Sequence, residues 1–269
     1  MPKLKVKDGI IYYEILGSGS PLFLQHGLAR SSRYWLGFDK ELSKYFQVII
    51  FDTRGLGKSQ KSKVPLQLSI QDLAEDICQL AQKLNIESFH LLGTSMGGMV
   101  CLALALMKPE LLKSIIIMNS SIAGHLTPRL SLIALASIGI SAILPKLTPP
   151  ISALTLLGKS TAFKKRLELY RKWQTHLEEE ALEKTTVLKQ LLAAARFGLG
   201  LPLEKIKTPA LILYGENDFF VPNKNSLKIF KKIPHALIKK IPGVGHEMFA
   251  EKPEELALEV YEFTQSIEK

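Results

Sequence analysis

Short apolar runs recur along this 269-residue chain at Leu22–Gln25, Gln47–Phe51, Ser88–Leu92, Ser114–Met118, Leu211–Tyr214 and Ala236–Ile241, and amphipathic stretches separate most of them. Runs this short read as buried strands, and alternation with helical patterns demands crossover connections. The chain is therefore expected to form an α/β structure: a mostly parallel, twisted sheet with helices on both faces. Between the second and third runs, Ile70, Leu73, Ile77, Leu80 and Leu84 fall at helical spacing. Ser69 and Asp72 form an acidic capping box at the start of that helix. Leu4–Lys7 and Ile10–Leu16 precede the first buried run and read as an antiparallel hairpin on the sheet edge.

The alternation stops between Ser121 and about Gly200, where no strand pattern appears. Residues 1–120 and 201–269 are expected to form two parts of one core, and 121–200 an all-helical cap. The cap opens with LSLIALASIGISAIL at 130–144. Fifteen apolar residues fall short of the roughly 20 that a bilayer crossing needs. This segment is expected to roof a pocket, with Leu135 and Ile138 as its lining residues. Lys159 to Arg196 is charged and amphipathic, as suits the cap's outer surface.

The stretch HLLGTSMGGM at 90–99 carries the chemistry. It sets Ser95 between an apolar strand and a helical run from Met99 to Met107. A strand that becomes a helix within two or three residues strains the residue at the junction and leaves no room for side chains two places before and after it. Gly93 and Gly97 stand at those places. The Gly-x-Ser-x-Gly pattern in this setting is a nucleophile elbow, which lifts the serine hydroxyl above the sheet.

Parallel sheets gather their sites in the loops at the carboxyl ends of their strands. His246, in IPGVGHEMF, lies in such a loop and is the expected base. Asp218, in LILYGENDFFVP, is the expected acid, with Glu216 its near rival and Asp52, at the end of VIIFD, a distant one. His26-Gly27-Leu28 follows the strand Leu22–Gln25. Gly27 lets the backbone turn so that the Leu28 amide, with the Met96 amide, can form an oxyanion hole. His26 is expected to hold that loop by side-chain hydrogen bonds rather than to act as a base.

Together, QHGLARSSRYW, FDTRGLGKS, GTSMGG, YGENDFFVP and GVGHEMF resemble, in order and spacing, the motifs of the α/β-hydrolase superfamily, over the whole chain except residues 121–200. The resemblance implies a Ser95–Asp218–His246 triad in the chain order of that superfamily. It implies a serine carboxylesterase or lipase-like enzyme with a helical cap, acting on a small apolar ester without metal or organic cofactor. Carbon–carbon bond hydrolysis and thioester hydrolysis use the same triad and stand as alternatives, as does a non-catalytic small-ligand-binding protein on the same fold. Serine at the elbow argues against dehalogenase and epoxide hydrolase chemistry, which uses aspartate there. Thr94 and Met96 depart from the Gly-Gly-Ser-Trp-Gly of proline iminopeptidases.

Composition excludes other classes. Hydrophobic content of 46% with 22% charged residues describes a folded domain rather than a disordered chain. The net charge of +10 comes from scattered lysines and no nucleic-acid-binding motif accompanies it, so no nucleic-acid partner is expected. Contact with a membrane surface stays open, whereas spanning does not. Cys78 and Cys101 lie in apolar helical patterns and read as packed thiols. No export signal is visible at the amino end, which suggests a cytoplasmic protein. Gly57-Lys58-Ser59 lacks the leading glycine of a phosphate-binding loop. Asn119-Ser120-Ser121 matches a glycosylation acceptor but sits at a strand end.

Overall fold

The apolar runs at the centre of the sheet form strands because both of their faces find cover, whereas the run at Leu237–Ile241 lies at an edge and is largely exposed. The computed structural model describes residues 3–6, 9–59, 67–122, 130–180, 183–198 and 200–268. Its strands are β1 (Lys3–Val6), β2 (Gly9–Leu16), β3 (Pro21–Gln25), β4 (Gln47–Phe51), β5 (Phe89–Thr94), β6 (Leu112–Met118), β7 (Ala210–Gly215) and β8 (Leu237–Ile241). The expected end of the first strand at Lys7 lies outside the described residues. The helices are α1 (Phe38–Leu42), α2 (Ile70–Lys83), α3 (Met96–Met107), α4 (Leu132–Ile143), α5 (Thr148–Thr155), α6 (Phe163–Glu179), α7 (Lys184–Arg196), α8 (Lys224–Lys232), α9 (Met248–Glu251) and α10 (Pro253–Glu268).

The eight strands form one sheet in the order β1-β2-β4-β3-β5-β6-β7-β8. β1 and β2 make the antiparallel edge, β2 meets β4 antiparallel, and β4, β3, β5, β6, β7 and β8 are parallel neighbours. From β3 the chain goes to one side to make β4 and then returns to place β5 on the other. The crevice at the carboxyl ends of β3 and β5 is thus the switch point of the sheet, where open α/β sheets bind ligands.

Successive strand residues point to opposite faces. Phe23, Leu91, Ile115 and Ile212 pack under α2 and α3 with Leu73, Ile77 and Val100. Their neighbours Leu24, Leu92, Ile116 and Leu213 pack on the other face with Trp35, Phe38, Phe249 and Val260. Burial on both faces explains why these strands read as continuous apolar runs rather than as alternating ones. α2 begins as expected: the Asp72 amide donates to Ser69 Oγ at 3.1 Å and the Ser69 amide to Asp72 Oδ2 at 2.8 Å.

Helices fill the described parts of the stretch between β6 and β7. α4 packs on α5, and α5 on α6. The turn after α5 is fastened to the loop after β8. The Glu247 amide donates to the Leu156 carbonyl at 3.0 Å, and a Cβ at Gly158 would come within 2.1 Å of the Gly243 carbonyl oxygen. Glu251 gathers the Gly158 amide at 2.9 Å, the Gly245 amide at 2.7 Å and the Thr161 hydroxyl. At the far end of the sheet, the last turn of α10 is tied to the strand starts. There His90 Nδ1 meets Ser114 Oγ at 2.8 Å and His90 Nε2 meets Glu268 Oε1 at 3.3 Å.

Among the described residues no helix is long and apolar enough to cross a membrane. Cys78 and Cys101 are free and buried. Burial pushes both thiols up, that of Cys78 to about 11, as expected of packing groups rather than reactive ones.

Candidate active site

Ser95 occupies the turn between β5 and α3 with φ 55° and ψ −118°. A non-glycine residue there costs on the order of 1–3 kcal/mol, a strain the surroundings must impose. They do so by close approach. A Cβ at Gly93 would lie 2.2 Å from the Gly97 carbonyl oxygen, and one at Gly97 would lie 2.1 Å from that of Gln25. The Ser95 amide donates to the Met118 carbonyl at 2.8 Å, and Ser120 Oγ donates to the Ser95 carbonyl at 2.7 Å. Backbone on three sides therefore fixes the serine.

His246 and Asp218 come from the loops after β8 and β7. His246 Nδ1 lies 2.8 Å from Asp218 Oδ2, and Asp218 Oδ1 accepts the amides of Phe220 and Val221, each at 2.8 Å. Both carboxylate oxygens are thus engaged, and only one faces the imidazole. Both residues are buried. Burial alone would lower the His246 pKa. The charge of Asp218, its hydrogen bond and the nearby Glu247 outweigh burial and the opposing Arg30, so the value is raised above the ordinary 6.5.

The rival acids are used elsewhere. Glu216 is exposed and pairs with Lys240 at 2.8 Å. Asp52 is buried beneath the preceding loop, where Oδ1 accepts the Ser32 amide and hydroxyl and Oδ2 accepts the Lys58 amide. Among the described residues, neither bonds to an imidazole.

His26 accepts the Gly27 amide on Nδ1 at 2.7 Å and is packed against Trp35 and Phe249. Burial, with the charge of Arg30, lowers its pKa well below 6.5, so the ring is neutral and holds the loop. Gly27 sits against Ser95: a Cβ there would be 3.0 Å from the Ser95 Cβ. Among the described residues, the amides of Leu28 and Met96 donate to no other protein group. The same holds for the Ser95 hydroxyl and for His246 Nε2. Serine–histidine contacts are often long before substrate binds and tighten afterwards.

Leu135 is 54% exposed and Ile138 half-buried. Ile133 of α4 lines a cavity of about 330 Å³ with Leu154, Leu157, Phe219, Lys159 and Arg166. That cavity adjoins the acid turn, since Phe219 follows Asp218 and Phe220 packs on the His246 ring with centroids 5.1 Å apart.

Sequence reasoning missed Asn119 as a site residue. Its Nδ2 donates to the carbonyls of Gly245 (3.0 Å) and His246 (2.8 Å), and its Oδ1 accepts the Gly215 amide at 2.9 Å. One amide side chain thereby joins the ends of three strands. It is buried with Ser120 and Ser121, so its match to a glycosylation acceptor is incidental. Its position at a strand end, beside the switch point, was the available signal. Arg30 was missed too. Its guanidinium lies over the Tyr34 ring at 4.3 Å, donates to Ser152 Oγ at 3.3 Å and approaches Glu247 at 3.9 Å. Among the described residues no cluster of histidine, cysteine and carboxylate groups could hold a metal ion.

A family model described as the alpha/beta hydrolase fold matches residues 20–148. A protein named "Putative carbamate hydrolase RutD" from Agrobacterium fabrum is 27% identical over 237 residues, covering 87% of this chain and 88% of its own. One of the same name from Pantoea ananatis is 28% identical over 252 residues, with coverage of 91% and 89%. Among solved structures, a thermophilic esterase from Thermogutta terrifontis superposes with TM-score 0.82 at 23% identity, covering the whole of both chains. An enol-lactonase from Burkholderia xenovorans LB400 gives TM-score 0.82 at 20% identity, covering 98% of this chain and all of its own.

Proposed function

The chain has the α/β-hydrolase fold, and we propose that it is a serine hydrolase cleaving carboxylic esters through an acyl-enzyme. The observation that carries this reading is the strained Ser95, fixed at the switch point while its hydroxyl stays unengaged, together with a buried His246–Asp218 pair. The unspent amides of Leu28 and Met96 complete the set.

The chemistry follows from these groups. His246 Nε2 takes the Ser95 proton as Oγ bonds to the ester carbon, and the carbonyl oxygen becomes an oxyanion that accepts from the Leu28 and Met96 amides. Asp218 holds the Nδ1 proton and stabilises the imidazolium. The imidazolium gives its proton to the departing alkoxide as the carbon–oxygen bond breaks. Water then loses a proton to Nε2 as it attacks the acyl carbon, and the imidazolium returns that proton to Oγ as the carbon–Oγ bond breaks and the acid leaves. Residues 121–200 act as the cap over this site. The apolar cavity beside the acid turn supports an apolar acyl group.

The names of the relatives favour a second reading, in which the same groups attack a carbamoyl carbon. An ester and a carbamate that both release p-nitrophenol separate the two: higher kcat/KM on the ester supports the first reading, and the reverse supports the second. A fluorophosphonate should label Ser95. Neither turnover nor label would leave a ligand-binding protein.

A further inference from the structure

α4 is a helix without a polar side. Apart from Ser137, Gly139 and Ser141, every residue from 132 to 143 is apolar. Such a helix belongs in a protein core or in lipid, yet most of this one faces outward. Leu132 is 85% and Ile143 77% exposed; Leu154 on α5 and Phe163 at the start of α6 are 73% and 80% exposed. These residues lie on three helices packed in succession. Soluble surfaces scatter large apolar side chains singly, whereas a concentration of them marks a contact site.

The charge of the same stretch is one-sided. From Leu130 to Leu167 there is no aspartate or glutamate, while Lys146, Lys159, Lys164, Lys165 and Arg166 are present. Lys165 approaches Glu168 at the edge, at 3.8 Å. Lys146 and Lys159 form no ion pair among the described residues, Lys164 interacts with Glu168 only through its charge, and Lys159 lies over the Phe219 ring. Apolar side chains set among lysines fit the interface of an anionic membrane. A second copy fits poorly, because two such surfaces would bring like charges together.

We propose that the acid-free stretch formed by α4, α5 and the first turn of α6 docks on the surface of an anionic lipid bilayer. α4 has twelve residues and a length of about 18 Å, against a hydrocarbon core of about 30 Å, so it lies along the surface rather than through it. Docking faces the site toward the lipid. The Ser131 amide at the start of α4 donates to the Phe220 carbonyl at 3.0 Å and the Ser131 hydroxyl to that of Phe219, and Phe220 packs on His246. If the hydrolase reading holds, the substrate class is an ester resident in the lipid interface. The docking itself stands apart from that reading.

The test is co-sedimentation of the full chain with vesicles of phosphatidylglycerol and phosphatidylcholine in equal parts, and with phosphatidylcholine alone. Wild type sediments with the mixed vesicles, at least about tenfold more weakly with the neutral ones, and less in high salt. Leu132→Glu with Phe163→Glu, both exposed, weakens binding on the order of 100-fold while circular dichroism stays unchanged. Lys146→Glu with Lys164→Glu lowers binding to the mixed vesicles about tenfold or more and flattens the salt dependence. Leu258→Glu, on α10 among glutamates, changes nothing. The proposal is overturned if wild type sediments with neither vesicle, or if the apolar double variant binds like wild type. It is equally overturned if sedimentation velocity shows a dimer that the double variant dissolves while vesicles remain unbound. None of these readouts depends on turnover.

Discussion

A serine, a histidine and a carboxylate meet at each of the two ends of the sheet. At the carboxyl end are Ser95, His246 and Asp218; at the amino end are Ser114, His90 and Glu268, with Ser114 and His90 directly paired across the ladder. Residue types therefore decide nothing by themselves. Ser114 lies in regular strand and is fully buried, while Ser95 is held at positive φ at a strand end. His90 spends Nδ1 on the serine and Nε2 on the acid, so no nitrogen remains to accept a proton from a substrate. His246 spends Nδ1 on the acid alone. The rings are also tuned oppositely: burial prevails over Glu268 in lowering the His90 pKa, whereas at His246 burial is outweighed by the charge and hydrogen bond of Asp218 together with Glu247. A working relay needs an unspent nitrogen and an unspent hydroxyl, which only the carboxyl end supplies.

The largest effect that could break this contrast is on the serines. Ser95→Ala should reduce kcat on p-nitrophenyl acetate on the order of 10⁶-fold, with circular dichroism unchanged. Ser114→Ala should leave kcat as in wild type. Comparable losses in both would end the distinction between the two sets.

Next come the acids. Asp218→Asn should lower kcat about 10⁴-fold by misdirecting the His246 tautomer, while Glu216→Gln and Glu268→Gln should stay near wild type in steady-state assays. A loss at Glu216 as large as at Asp218 would reassign the acid.

A smaller effect, read from pH, sharpens the comparison. His246 must be neutral to accept a proton and its pKa is raised, so kcat/KM should fall with decreasing pH through a midpoint above 6.5. His90 has the opposite sign. Its folded pKa is lowered, so the unfolded chain binds the extra proton, and stability should fall as pH drops below about 6.5 toward the folded value. Urea unfolding of His90→Gln should lose that part of the slope while the activity midpoint stays in place.

The smallest effect is structural. Ser114→Ala strands one buried ring nitrogen and should cost about 1–3 kcal/mol of stability, seen as a lower urea midpoint with unchanged slope. No change would show that the amino-end set contributes nothing to the fold.

Much of this was legible in the sequence because the signals were local. The strands announced themselves as apolar runs, Ser69 and Asp72 marked a helix start, and the glycines about Ser95 described a junction that only close backbone approach explains. Three features were not legible. The pattern ranked Asp218 ahead of Glu216 and Asp52 but could not show the contact itself, because that depends on which loop meets the imidazole. It could not orient α4, because a helix apolar on every side has no preferred face. It could not show Asn119 or the His90 set, whose partners lie far along the chain.

That separation along the chain sets an order of assembly. The bonds of Asn119 to Gly215, Gly245 and His246 span 96, 126 and 127 residues. Contacts of such range close late, after the loop entropy between them has been lost. During synthesis, Ser95 and its glycines emerge long before Asp218 and His246. The nascent chain thus holds Ser95 before His246 has been made, and the amide of Asn119 stands ready for strand ends not yet made. The Asn119 amide can find its three partners only once β7 and β8 are in place, so the bonds that complete the sheet are the same ones that bring the His246 loop to Ser95.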